Sequence, residues 1–235
     1  MIDFRRRADG RVLRIGHRGA AALAPENTLR AFEAALALGV DFVEFDVLEL
    51  GDGSLVLAHD EGVYEAGAAS LADALAFFAQ RRDVGLHVDV KSRRGQAVAR
   101  ALAAAGLVER AVASSFWPST LRDLRAGAPA LAVALTYPED RRGIASRRLA
   151  RPFVVPAAAV LGTALPLRLP RWLAATGSRV AMLHYAVVSR AAVRRCHDRG
   201  VAVWAWTVND EQLLTRVVEL GVDGVISDDP RIFGP

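Results

Sequence analysis

Three short apolar runs in this chain each end in residues that can bind a metal or move a proton. His17 and Arg18 follow the first, Glu44 and Asp46 lie within the second, and His59 and Asp60 follow the third. Alternate side chains of an extended strand share a face, so Glu44 and Asp46 point together while Val43, Phe45 and Val47 point away. The same alternation puts His87, Asp89 and Lys91 on one face of a later run and Leu86, Val88 and Val90 on the other. Glu44, Asp46 and Asp89 form a hard, all-oxygen ligand set that suits Mg²⁺ or Ca²⁺ better than zinc. The structural alternative is an ion network with Arg18 and Lys91. It is the weaker reading, because buried like charges cost more than such a network readily returns. His17 and His59 can serve as a general acid–base pair, since imidazole titrates near neutrality. His184 and His197 read as structural, and His87 as core or as support behind the site. Arg18 beside the acids suggests an anionic substrate group, because its planar fork matches phosphate oxygens. Metal, arginine, lysine and two histidines together imply phosphate-ester cleavage, with sugar-phosphate aldolases and isomerases still open on residues alone. No Gly-rich nucleotide loop and no Ser or Cys nucleophile motif supports another chemistry.

These residues need a scaffold that gathers strand ends. Leu38-Gly39-Val40-Asp41 and Leu220-Gly221-Val222-Asp223 repeat one punctuation, with looser versions at Gly106 and Gly200: a helix end, a glycine suited to the left-handed conformation, then an apolar run. Alternating helix–Gly–strand units predict a parallel sheet, and about 29 residues per unit suits a (β/α)8 TIM barrel of the α/β class. Strands are expected at 12–16, 42–47, 86–90, 112–115, 131–135, 180–183, 201–206 and 224–226, with a short extra strand at 55–58. The first helix opens at Pro25-Glu26-Asn27-Thr28, capped by Asn27 or Thr28, and later helices run from Ser189 to Gly200 and from Asp210 to Gly221. The stretch 151–179, which holds Pro152, Pro156, Pro166 and Pro170, reads as a long irregular connection with a short helix around 171–176. No linker composition interrupts the chain, so one domain over 1–235 is expected. In such a barrel the C-terminal strand ends form the catalytic rim, and the polar residues accumulate at that end of successive strands.

Composition narrows the partners. A hydrophobic fraction of 52% and a charged fraction of 24% describe a globular protein; the net charge of +4 suits an anionic substrate, although a solvated surface with slightly more Arg than acid accounts better for most of those residues. Arg5-Arg6-Arg7 is too short, and too free of aromatics, to argue for nucleic acid. Cys196 is the only cysteine, so no intrachain disulfide forms, and it reads as a structural thiol. The N-terminal residues lack the apolar core of a signal peptide, and no run of about eighteen apolar residues spans a bilayer. A cytoplasmic protein acting on a small molecule, without an integral membrane segment, is expected; the oligomeric state is left open.

The ordered set His17-Arg-Gly, Pro25-Glu-Asn-Thr, Glu44-Phe-Asp46, Asp52-Gly and His59-Asp resembles the glycerophosphodiester phosphodiesterases. Asp89-Val-Lys91, Trp206-Thr-Val-Asn209 and Gly224-Val-Ile-Ser-Asp228 are similar to that family's later motifs, so the likeness covers nearly the whole chain. It implies a TIM-type barrel that hydrolyses diesters such as glycerophosphocholine to an alcohol and glycerol 3-phosphate. Glu44, Asp46 and Asp89 would hold the divalent metal. His17 and His59 would be the acid–base pair, Arg18 and Lys91 would hold the phosphate, and Trp206 would face the substrate. It further implies attack of a glycerol hydroxyl on phosphorus, giving a cyclic phosphate that water opens. Glu26 and Asn27 either order the rim or cap the helix. Two departures stand out. Most members carry Glu where Asp89 stands, and aspartate is one methylene shorter. Most also carry a much longer insertion after His-Asp, whereas here the chain passes quickly from Asp60 through Tyr64 to Ser70, the expected cap of the next helix. The more open rim admits three other readings: a lysophospholipase D-like enzyme on lipid-bearing diesters, a lyase that stops at the cyclic phosphate, and a phosphate-binding barrel without turnover.

Overall fold

The computed structural model describes residues 3–62, 68–138 and 151–234, with side chains from 162 onward in the last segment. Eight parallel strands close into a barrel: β1 (Leu13–Gly16), β2 (Phe42–Glu49), β4 (Gly85–Val90), β5 (Ala111–Ser115), β6 (Ala132–Tyr137), β7 (Val180–His184), β8 (Ala202–Trp206) and β9 (Gly224–Ser227). β1 pairs with both β2 and β9, which completes the ring. The expected extra strand is the two-residue β3 (Leu55–Val56), antiparallel to the end of β2. Between the strands run α1 (Leu29–Ala37), α2 (Leu71–Ala79), α3 (Gln96–Ala104), α4 (Pro118–Gly127), α5 (Arg151–Thr176), α6 (Arg190–His197) and α7 (Glu211–Glu219). Gly39, Gly106, Gly200 and Gly221 all have φ between 68° and 97°, the left-handed geometry expected at those helix-to-strand turns. Ser70, Ser189 and Asp210 cap α2, α6 and α7 through their side chains.

The strands separate two apolar layers, as their alternation requires. Val43, Phe45, Val47, Val88 and Val90 face the helices, while Ile15, Phe42, Val112, Met182 and Trp204 fill the barrel. Phe4 closes the floor, with its ring 6.1 Å from that of Trp204 and its carbonyl accepting from Trp204 Nε1 at 2.9 Å.

α5 overturns the expectation of an irregular connection at 151–179: it is one helix of 26 residues. Each proline removes one backbone donor. Against that loss, Leu165, Leu169 and Leu173, spaced by one helical turn, are at most 2% exposed in the layer between helices and barrel. Tertiary burial outweighs local propensity here. Truncating Leu169→Ala is expected to cost about 2–5 kcal/mol in a denaturant titration; a change near zero would mean that α5 does not pack on the barrel.

Candidate active site

The chain leaves β1 through two left-handed residues, Arg18 (φ 50°) and Gly19 (φ 85°). His17 N donates to Ser227 O at 2.8 Å, and Gly19 N donates to Glu44 O at 3.0 Å, which fixes the turn over β2 and β9. A Cβ on Gly19 would lie 2.5 Å from the Ala31 backbone, so only glycine fits there. Arg18 N, turned inward, donates to Glu44 Oε2 at 2.6 Å. Asn27 also has a positive φ of 59°. Its side chain clamps Asp46 at both ends: Nδ2 donates to Oδ2, and Asp46 N donates to Asn27 Oδ1, each at 3.0 Å. Thr28, not Asn27, caps α1. Strained backbone of this kind gathers where a site must be pre-organised.

Glu44, Asp46 and Asp89 are all buried, and one oxygen from each lies within 4.8 Å of the others. The alternative pairing is present as well. Arg18 Nε lies 2.9 Å from Asp46 Oδ2, Lys91 Nζ lies 3.0 Å from Asp46 Oδ1, and Lys91 also pairs with Asp89. Burial works against ionising Asp46, yet Lys91 and Arg18 outweigh it and hold the carboxyl far below its usual range. Glu44 goes the other way. Burial, followed by the neighbouring Asp46 charge, pushes it up to about 8. Three carboxylates thus face two fixed cations, which leaves one negative charge that a proton or a divalent cation must balance. Asp46 Oδ1 is buried and lacks a hydrogen bond, despite the nearby ammonium. An all-oxygen triad with a surplus negative charge fits a hard divalent cation.

His17 lies beside this cluster, with Nε2 3.8 Å from Glu44 Oε2. Its Nδ1 is 2.5 Å from Asp228 Oδ1. Asp228 also accepts from Asn209 Nδ2 at 2.5 Å, and although burial opposes it, the His17 hydrogen bond keeps its carboxyl below the ordinary range. An ionised carboxylate only accepts, so His17 Nδ1 carries the proton and Nε2 is the atom turned toward the acids. Burial disfavours the imidazolium, but Glu44 and then Asp228 outweigh it and raise His17 above its usual pKa. His59 follows β3 at the rim, half-buried, with Nδ1 3.1 Å from Asp60 Oδ2.

A cavity of about 790 Å³ opens at the C-terminal ends of the strands, lined by His17, Arg18, Glu44, His59, Asp89 and Lys91. Asp46 is fully buried and meets this group through its ion pairs with Arg18 and Lys91. Trp206 lines the same cavity, with its ring 6.2 Å from Phe116 and 5.1 Å from His184. Seven of the eight residues expected at the site line the cavity, and the eighth, Asp46, pairs with two of them. His197 stays apart, its Nε2 2.7 Å from Asp223 on the floor side. Three residues carry more than the sequence suggested: Asn27, Asp228 and Ser114; His184, read as structural, lines the cavity beside Trp206. Asp228 lies 211 positions from His17. Its place just past a strand end was a usable signal; its partner was not. Tyr64 lies outside the described residues.

A sequence model of the glycerophosphoryl diester phosphodiesterase family matches residues 17–77 and 82–232. The chain belongs to this family. It is the family that the ordered motifs resemble. A glycerophosphodiester phosphodiesterase of Caldanaerobacter subterraneus subsp. tengcongensis is 27% identical, over 94% of this chain and 96% of its own. Among solved structures, a glycerophosphodiester phosphodiesterase from Agrobacterium tumefaciens has a TM-score of 0.71 at 21% identity, covering 94% of this chain and 98% of that one. An Oleispira antarctica phosphodiesterase, solved with its product sn-glycerol-3-phosphate, has a TM-score of 0.70 at 22% identity, covering 93% of this chain and 94% of that one. At these identities the structural likeness speaks for the shared barrel. No helix among the described residues is long and apolar enough to cross a membrane.

Proposed function

We propose that this chain, as one domain over 1–235, hydrolyses glycerophosphodiesters to an alcohol and glycerol 3-phosphate with a divalent cation, Mg²⁺ or Ca²⁺, and two histidines. The observation that carries the reading is the buried Glu44–Asp46–Asp89 triad beside an oriented imidazole in one cavity. Glu44, Asp46 and Asp89 are the residues that would hold the cation, whose contribution when bound is to neutralise charge on the phosphoryl oxygens. Arg18 and Lys91 orient the phosphate and stabilise its developing negative charge. His17 Nε2 takes or gives the proton at the substrate oxygens on the triad side, with Asp228 keeping Nδ1 protonated. His59 serves the opposite side from the rim. Trp206 supplies an apolar wall for the organic part of the diester. The buried thiol of Cys196, pushed up to about 12 by burial, is held in its unreactive protonated form.

The short link from His59 to Ser70 favours a second reading, in which lipid-bearing diesters are taken instead, as by a lysophospholipase D-like enzyme. Phosphorus NMR with glycerophosphocholine and with lysophosphatidylcholine, each with Mg²⁺, Ca²⁺ or EDTA, separates the two. Glycerol 3-phosphate that forms with either cation and stops in EDTA is the expected result. Turnover of the lipid substrate alone would select the second reading, a persistent cyclic phosphate would make the enzyme a lyase, and inertness of both substrates would sink the proposal.

A further inference from the structure

We propose that Ser114, itself held by His87, is a positioning residue that sets which oxygen of Asp89 faces the cation. The inference rests on the reading of Glu44, Asp46 and Asp89 as a metal site. Asp89 on β4 and Ser114 on β5 are register partners, and both point into the barrel. Ser114 is fully buried, and His87 and Asp89 are nearly so. Ser114 Oγ hydrogen-bonds Asp89 Oδ1, and His87 Nε2 lies 2.8 Å from the same Oγ.

The proton count gives this chain of bonds a direction. A hydroxyl has one proton, and a carboxylate can only accept, so the Ser114 proton goes to Asp89. The Ser114 oxygen is then left to accept, and His87 must donate from Nε2. His87 is therefore the Nε2–H tautomer with a bare Nδ1, and Nδ1 is indeed buried without a hydrogen-bond partner. An orphaned buried acceptor has a cost, which is consistent with the ring being placed for the sake of its other nitrogen. That ring is fixed from below: it stands edge-on to Trp204 at 5.8 Å, and Trp204 is anchored to the Phe4 carbonyl that closes the floor.

Asp89 Oδ1 is thereby committed to β5, which leaves Oδ2, the oxygen that pairs with Lys91, as the one to meet a cation. An aspartate reaches one methylene less far than a glutamate and depends more on holding one rotamer. A hydroxyl on the neighbouring strand supplies that restraint. Removing an outer partner of a metal ligand typically weakens metal binding about 10–100-fold.

The test is isothermal titration of Mg²⁺ and of Ca²⁺ into wild type, Ser114→Ala and Ser115→Ala. Ser115 is the adjacent buried hydroxyl, donating to Val90 O at 2.9 Å, away from the acids. Its removal deletes a comparable hydrogen bond and controls for general loosening. Ser114→Ala is expected to bind about 10–100-fold more weakly, with Ser115→Ala close to wild type. In wild type, ¹⁵N–¹H correlation should find the His87 proton on Nε2. Equal affinity for wild type and Ser114→Ala, equal losses in both serine variants, or a proton on Nδ1 would each overturn the relay. Failure of wild type to bind either cation would instead overturn the metal reading beneath it, and neither result depends on which diester is turned over.

Discussion

His17→Ala is expected to lower kcat on glycerophosphocholine by about 10²–10⁴-fold, the usual contribution of a positioned acid–base group. His17 Nε2 is aimed at Glu44 from the end of β1, 3.8 Å from its Oε2, and Nδ1 is committed to Asp228. Alanine removes the proton carrier and leaves the triad, Arg18 and Lys91 in place, so the loss should fall on kcat more than on KM. His59→Ala is expected to lose activity over the same range from the other side of the cleavage. Because both histidines serve one event, the double variant should be little worse than the more damaged single one. His59 keeps 27% of its side chain in solvent. Its removal should therefore cost stability only within about 0.5 kcal/mol. Initial rates beside circular-dichroism melts separate chemistry from unfolding. A His17→Ala protein with more than a tenth of wild-type kcat would remove His17 from the proposed mechanism.

The second large effect is expected at Asp46. It is fully buried, gripped by Asn27, and faces Arg18 and Lys91 on opposite oxygens. Asp46→Ala leaves two cations beside an unfilled space with their shared partner gone. Breaking a buried ion pair by deleting one side typically costs about 3–5 kcal/mol. Chemical denaturation should read that loss directly, and turnover should fall to background at any Mg²⁺ or Ca²⁺ concentration. Adding a saturating cation should raise the melting temperature of wild type but not of the variant. If Asp46→Ala were as stable as wild type, the ion network around it would carry little energy. If it were still stabilised by the cation, Asp46 would not be a ligand.

Much of the barrel was legible because its signals are local. Leu38-Gly39 and Leu220-Gly221 announce helix ends through backbone conformation, and alternation in Val43–Val47 separates an acidic face from an apolar one without reference to any other strand. α5 was misread for the opposite reason. Its prolines are local signals against a helix, while Leu165, Leu169 and Leu173 act only once there is a barrel to pack on. His184 shows the same limit: alone it is an ordinary histidine after a strand, and only the register of β7 against β8 sets it beside Trp206.

By itself, then, the sequence determined the residue types, their strand-end placement and their chemistry. Three carboxylates, two cations and two histidines at the same end of successive strands already imply phosphate-ester chemistry, and the ordered motifs narrow it to phosphodiesters through their family resemblance. Only the tertiary structure decided the pairings: Asp228 on His17, Asn27 rather than a helix cap on Asp46, Ser114 on Asp89. Each of these joins different strands or a loop to a strand across 19 to 211 positions. A hydrogen bond is selective over a few ångströms, and distance in sequence carries no information at that scale until the ring of strands has closed.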